Sequence, residues 1–185
     1  MRIPLRLGVA TLAATIACTS SDTGSNVGET GGTLLIALPV EPTTLLPPHV
    51  RQLQEREIAD QIFDVLADIG PDLNTIGDAG WTPRLAASWQ WAADSMSIAF
   101  KLQPRARWHD GQSVRSADVK FSVAFNKDPA VGSRIARALA DVDSVSTPDS
   151  LTAVVWYARR SPEQFYNVAY NLAVLPKHLC KRLLF

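Results

Sequence analysis

The stretch that decides the fold is residues 97–126, SIAFKLQPRARWHDGQSVRSADVKFSVAFN. In its first part apolar residues alternate with polar or small ones, the period of a half-buried strand: Ile98, Phe100 and Leu102. The Asp110-Gly111 pair then predicts a tight turn in which the glycine takes a positive φ. Ser116 follows as a candidate N-cap for a helix that should end near Asn126. A strand, a turn and a capped helix are therefore expected in succession.

Further elements are predicted on both sides of this stretch. Ser88–Trp91 should pair with the strand at 97–102 as a hairpin, and residues 142–146 should pair with 151–157 around a Pro-Asp-Ser turn. Helices are predicted in three places: from Gln54 through Ile58 and Ile62 to Val65 and Leu66, over Gly132–Ala140, and from Ser161, with Ser161 as N-cap and Pro162 at the first helical position. The apolar run 33–38 is predicted to be a buried strand. Strands and helices mixed in this order indicate an α/β or α+β lobe.

The first 17 residues carry the features of an export signal. Two arginines precede Leu7–Ile16, which is small or apolar apart from two threonines. This run is shorter than the roughly 20 residues that a membrane-spanning helix needs, but it fits the apolar region of a secretory signal. Because Ala17 directly precedes Cys18, we predict a lipoprotein signal over 1–17 with Cys18 as the site of lipid attachment. The alternative is an ordinary signal that is cut after Ala17, with Cys18 incidental.

The segment that follows the signal is polar and rich in Ser, Thr and Gly. Residues 19–32 read TSSDTGSNVGETGG and show no apolar periodicity, so they cannot bury enough surface to become ordered. We therefore predict a flexible tether over 18–32 that lets a folded domain at 33–185 stand off the membrane.

The amino-acid composition limits the classes of binding partner and the disulfides that the chain can form. The 185 residues include 18 Lys plus Arg and 18 Asp plus Glu, and 46% are hydrophobic, as in a soluble globular protein. Nucleic acid is not an expected partner, because phosphate binding needs clustered positive charge. Cys18 and Cys180 are the only cysteines. If Cys18 is lipidated no intramolecular disulfide can form, and Cys180, among leucines, is expected to be a small buried apolar residue.

Seven short sequence motifs, called words below, follow one another along the chain. They are EPTTL (41–45), FDVL (63–66), PRLAASW (83–89), FKL (100–102), WHDG (108–111), ADVKFS (117–122) and LPKHL (175–179). Together they resemble the N-terminal lobe of the bacterial family 5 solute-binding proteins, which serve ABC importers of oligopeptides, dipeptides or nickel. Two positions depart from the family pattern: Arg105-Ala106 stands where a Pro-Gly-like turn is common, and residues 115–118 replace a more acidic run.

The resemblance implies a fold and a function. The fold would be α/β of the mixed α+β kind, the N-terminal lobe of a type II periplasmic-binding-protein-like domain. The function would be that of the substrate-binding component of an ABC importer, which captures a small peptide and presents it to the permease subunits by lobe closure and without chemistry. Such a protein would be monomeric and would lie in the periplasm or on the extracytoplasmic face, held to the membrane by its lipid anchor alone.

Length is the main departure from the family. Its members are much longer and have two lobes, so the lobe at 33–185 is predicted to be truncated and incomplete. The alternatives are a non-transporting remnant, a membrane-surface interaction module or an exported enzyme.

Candidate site residues come from the resemblance. In the family, the loop between the Glu-Pro-x-x-Leu word and the first helix borders the ligand cleft. Here that loop is Arg51, Gln52, Leu53 and Gln54, whose polar groups could meet a peptide main chain by strand-like pairing; the alternative is a solvated loop. The three histidines lack metal-ligand spacing, and no set of nucleophile, base and orienting residue stands out. We therefore predict no catalytic residue, no metal and no cofactor.

Overall fold

A computed structural model of the chain describes residues 35–180, of which 38–180 form one compact unit. The helices are α1 (Leu53–Ile62), α2 (Ser116–Lys127), α3 (Gln164–Ala169) and α4 (Lys177–Cys180), with a 3-10 turn at Pro47–His49. The strands are β1 (Ala67–Asp68), β2 (Thr82–Pro83), β3 (Ala86–Trp91), β4 (Ser97–Leu102), β5 (Val142–Ser146) and β6 (Thr152–Tyr157). Helices and strands are interspersed along the chain, which confirms the predicted mixed α/β class.

The main sheet is antiparallel and has the strand order β3-β4-β6-β5. Both predicted hairpins are present, and the sheet is joined through β4 and β6, where Phe100 pairs with Ala153. The side chains of Ile98, Phe100 and Leu102 are at most 1% exposed. Lys101, between them, is exposed on the opposite face. The sheet therefore has one face in the core and one open to solvent, as an antiparallel sheet permits.

Helices α2 and α3 supply the other side of this core. Val119 and Val123 of α2 and Phe165 of α3 belong to the same buried cluster as the inward residues of β4 and β6. A second, smaller cluster joins α2 to α4 and includes Cys180, which is 5% exposed. Cys180 is thus a buried apolar residue, as predicted.

The stretch 97–126 folds as predicted, as a strand, a turn and a helix. Gly111 has a φ of +83°, and its N–H donates to the Trp108 carbonyl at 2.9 Å. The N-cap of α2, however, is Arg115 and not Ser116, because the Ser116 hydroxyl donates instead to the Asp149 carbonyl at 2.5 Å. The Asp118 carboxylate accepts the Arg115 N–H at 2.8 Å and completes the helix start.

Two predicted helices have different boundaries. The first begins one residue early, at Leu53, and ends at Ile62, so Val65 and Leu66 are not helical. Their carbonyls instead accept N–H groups of the segment at Arg84–Ala86. Helix α3 begins at Gln164, two residues later than predicted, although the Gln164 side chain does accept the Ser161 N–H at 3.2 Å, as a capping box requires.

Two other predicted elements are absent from the described residues. Residues 132–140 form successive turns, because Gly132 has a φ of +62° and the backbone bonds mix three- and four-residue spacings. Residues 35–38 of the run 33–38 are not a strand, and Leu35 and Ile36 are exposed, since no described segment pairs with them. Positions 33 and 34 lie outside the described residues, as do the predicted signal and tether.

Candidate functional site

Glu55 organises the loop that leads into α1. Its side chain is 1% exposed. One carboxylate oxygen accepts the Thr43 hydroxyl at 2.6 Å and the Thr43 N–H at 3.0 Å. The other accepts the N–H groups of Arg51 at 3.0 Å and Gln52 at 3.2 Å. A single side chain therefore ties the EPTTL word to the first turn of the helix.

These hydrogen bonds favour the ionised form of the carboxyl group. The Thr43 hydroxyl, followed by the N–H groups of Arg51 and Gln52, lowers the pKa of Glu55 from 4.5 to about 2, against the opposing effect of burial. The loop is therefore held by a carboxylate that stays charged at any physiological pH.

A narrow cleft of about 30 Å³ opens beside α1. Part of its lining is apolar and comes from three separate segments: Val50, Ala59 and Ile135. The polar or charged residues of the lining are Arg56, Asp60, Asn126, Arg134, Tyr170 and Asn171. An apolar floor with a few convergent polar groups is the usual composition of a small-molecule site.

The charged groups of the cleft differ in how they are engaged. The Arg56 Nε lies 2.8 Å from both carboxylate oxygens of Asp60, one turn along α1. Arg134 is exposed, and no carboxylate of the described residues lies within ion-pair distance of it. The cleft thus offers an internal ion pair and an additional cation.

Buried polar residues on α2 hold two walls of the cleft in place. The Ser133 hydroxyl donates to Asn126 Oδ1 at 2.6 Å, directly before Arg134. On the other side, the Ser122 hydroxyl accepts the Leu175 N–H at 2.8 Å, shortly after Asn171. Backbone bonds add to this, since the Arg134 N–H donates to the Pro48 carbonyl at 3.2 Å.

The loop proposed from the resemblance lies next to this cleft. Arg51, Gln52 and Leu53 are exposed and Gln54 is half-buried, while Val50 before them and Arg56 after them line the cleft. The N–H groups of Arg51 and Gln52 are occupied by Glu55, so strand-like pairing with these two donors is not available. Contact between this loop and a ligand remains a prediction, and Cys18 lies outside the described residues.

Several residues of the site were not anticipated. Arg134, Tyr170 and Asn171 reach the cleft from segments more than 70 positions beyond Val50, and no local pattern links them. Glu55 could have been recognised, because it stands three residues after Gln52, the spacing of a helix-start pair.

The histidines do not gather at the cleft. His49 Nε2 lies 2.7 Å from the Val131 carbonyl, and His178 Nε2 lies 2.7 Å from an Asp110 oxygen. Within residues 35–180 no three His, Cys, Asp or Glu side chains form a group that could hold a metal ion. In the same part of the chain, no helix has the length and apolar character needed to cross a bilayer.

Comparison with known proteins gives a family match. The model of the bacterial extracellular solute-binding proteins, family 5 Middle, matches residues 80–181. A protein of Brucella ovis, named as an ABC transporter peptide-binding protein, is 34% identical over 105 residues. That alignment covers 57% of this chain and 18% of the relative, so the match extends over about a fifth of the relative's length.

Solved structures of binding proteins share the fold. The PBP/SBP MoaA of A. tumefaciens R10, in complex with mannopinic acid, is 27% identical with a TM-score of 0.67 over 76% of this chain and 28% of its own. The OppA of Haemophilus influenzae, in complex with the peptide RPPGFSPFR, is 22% identical with a TM-score of 0.65 over 77% of this chain and 30% of its own. The fold is therefore an incomplete lobe of the periplasmic-binding-protein type, as the resemblance implied.

Proposed function

The chain belongs to the bacterial extracellular solute-binding proteins of family 5, and from this we propose that its cleft beside α1 is one wall of a solute-binding site. The observation that carries the proposal is the composition of the cleft, whose apolar floor is bordered by Arg134, Asn171 and the Arg56–Asp60 pair. A peptide or similar solute has apolar side chains and charged ends, and these groups match both parts of the lining. The matched relatives are named as binding proteins, which also favours capture over catalysis.

The wider role we propose is that of the substrate-binding component of an ABC importer for oligopeptides or dipeptides. The solute would be captured on the extracytoplasmic side and passed to permease subunits. We further propose that residues 1–17 are a lipoprotein signal, that 18–32 are a tether and that Cys18 carries the lipid. Mass spectrometry of the membrane-bound protein tests this, with a diacylglycerol-modified Cys18 expected and an unmodified thiol contradicting it.

Solute capture is tested by calorimetric titration of the full chain with dipeptides and longer peptides. Because a single wall buries only part of a ligand, we expect affinities on the order of 1 mM. Arg134→Ala should weaken binding by roughly tenfold to a hundredfold, since a hydrogen bond to a charged group contributes about 1.5–3 kcal/mol.

Arg137→Ala is the matched control. Arg137 is exposed three residues later and does not line the cleft, so the affinity should stay unchanged. Equal losses in the two variants, or no heat of binding with any peptide, would contradict the proposal.

A further inference from the structure

Charge is distributed unevenly along the described residues. Residues 41–84 contain eight Asp or Glu and three Arg, a net charge of −5. Residues 101–137 contain eight Lys or Arg and three Asp, a net charge of +5. The net charge of the whole chain is therefore near zero although one segment is acidic and another is basic.

The cations of the basic segment are not neutralised internally. Arginine-carboxylate pairs of the described residues lie elsewhere, on Arg56, Arg84 and Arg159. Of the eight Lys and Arg at 101–137, none has a carboxylate of residues 35–180 within 4.0 Å. Their charges are available to a partner.

Five of these side chains are exposed near one end of the main sheet and form what we call the basic patch: Lys101, Arg105, Arg107, Arg115 and Lys120. Hydrogen bonds to one turn bring their elements together. The Leu102 N–H donates to the Leu151 carbonyl at 2.8 Å, and the Ser116 N–H donates to the neighbouring Ser150 carbonyl at 2.9 Å. The end of β4 and the start of α2 therefore meet at the same place.

The segment between β4 and α2 folds back on itself and carries two of the five cations, Arg105 and Arg107. Arg107 forms a bridge with Ser113, and the Val114 N–H donates to the Ala106 carbonyl at 3.1 Å. This pairing sets Arg105 and Arg107 opposite the segment that leads into Arg115. Lys120 is exposed in the first turns of α2.

The acidic groups at this end are already engaged. Asp110 contacts His178 and Gln112, and Asp149 accepts the N–H groups of Leu151 and Thr152 at 2.8 Å. Asp118 is buried and accepts backbone N–H groups. Asp64, which lines a pocket with Arg107, is paired with Arg84. Even with Asp110, Asp118 and Asp149 counted in full, the five cations leave this end positive.

The patch is built mainly from charged side chains. Within 101–137 no large hydrophobic side chain is exposed, and Trp108 and Phe121 are half-buried. Ile62, which is 37% exposed, lines a pocket together with Arg107 and Trp108. Protein interfaces are built around buried aromatic or aliphatic side chains, whereas anionic lipid headgroups are bound by exposed Lys and Arg alone. We propose that the basic patch docks this lobe on a bilayer surface rich in anionic phospholipid.

Vesicle flotation of the full chain tests the proposal. Vesicles of phosphatidylcholine alone are compared with vesicles of phosphatidylcholine and phosphatidylglycerol in equal proportions. We expect stronger partitioning onto the anionic vesicles at low salt, and loss of this excess at about 0.5 M salt, where the Debye length is only several Å. The neutral vesicles report any binding that the apolar N-terminal run contributes. The double variant R105E with R107E should reduce the excess by roughly tenfold or more.

The matched control reverses two arginines at the opposite end of the sheet, R159E with R160E. Both are exposed and follow β6, whose other end, Thr152, pairs with Lys101. This variant carries the same change in net charge and should keep the excess within about twofold. Circular dichroism should show native folds for both.

Two results would overturn the proposal. One is an equal loss in both double variants, which would mean that net charge and not this surface decides. The other is equal partitioning of the wild type onto the two kinds of vesicle. In that case the patch does not bind anionic lipid, and an acidic protein surface becomes the better candidate for its partner.

Discussion

At the scale of the residue, one side chain decides the geometry of the candidate site. Glu55 is almost fully buried, and its two oxygens accept four hydrogen bonds from Thr43, Arg51 and Gln52. Each donor is a backbone N–H or a hydroxyl, so the negative charge is held by dipoles and not by an opposite charge. The loop beside the cleft consequently depends on the ionisation of this group.

Replacing Glu55 should change how stability depends on pH. Because the pKa of Glu55 is about 2 in the folded protein against an ordinary 4.5, its contribution is complete above about pH 4.5 and is lost as the pH falls towards 2. Glu55→Gln places an amide group against donor N–H groups, so it should be less stable at neutral pH and lose less stability on acidification. Urea midpoints measured from neutral pH down to about pH 2 check this.

Glu57→Gln provides the comparison, because Glu57 is exposed in the same helix. That variant should follow the wild-type pH profile. An unchanged profile in Glu55→Gln would show that the four hydrogen bonds do not hold the carboxylate in solution.

At the scale of the element, α2 presents a ladder of buried polar side chains one turn apart. Asp118 accepts the Lys177 N–H at 3.0 Å, Ser122 accepts the Leu175 N–H at 2.8 Å, and Asn126 accepts the Ser133 hydroxyl at 2.6 Å. Side chains four residues apart share one face of a helix, so the ladder faces a single side. It fixes both the turns at 132–140 and the chain entering α4.

Removal of the Ser122 hydroxyl, the middle of the three buried polar groups on α2, should destabilise the protein. Ser122→Ala leaves the buried N–H of Leu175 without its side-chain acceptor, at a cost of about 1–3 kcal/mol. Lys120→Ala, on the exposed face of the same helix, should stay within about 0.5 kcal/mol of the wild type. Urea unfolding of the two variants measures the difference, and equal stabilities would mean that the Leu175 N–H finds another partner.

Elements with strong local signals could be predicted from the sequence, and the others could not. Both hairpins follow from period-two alternation and turn residues, and α2 follows from the turn and the candidate cap before it, all of which act within a few positions. The run 33–38 has the composition of a strand, but composition does not supply a neighbour to pair with. Arg115 caps α2 because Ser116 finds a more distant acceptor at Asp149. The cleft lies between segments far apart in the chain, and only the family resemblance pointed to the loop beside it.

At the scale of the whole molecule, one aromatic residue joins the two sheets and α3. The Phe165 ring centroid lies 5.0 Å from that of Trp81, between β1 and β2, and 5.1 Å from that of Trp89 in β3. Phe100 of β4 and Trp91 of β3 also lie within 6.3 Å of it. A residue from the last third of the chain therefore completes a core built from the middle third, which makes folding of the unit depend on contacts distant in sequence.

Phe165→Ala should therefore weaken the whole unit and not only α3. Phe165 is 0% exposed, and loss of a buried phenyl ring costs about 3–5 kcal/mol, of the order of a third or more of a typical domain's stability. Near-ultraviolet circular dichroism should lose much of its tryptophan signal, because Trp81, Trp89 and Trp91 all pack on this ring. Trp156→Ala is the control, since Trp156 is 45% exposed on the open face of β6, and it should cost far less. If both variants unfolded at the same urea concentration, the packing around Phe165 would not be what unites the two sheets.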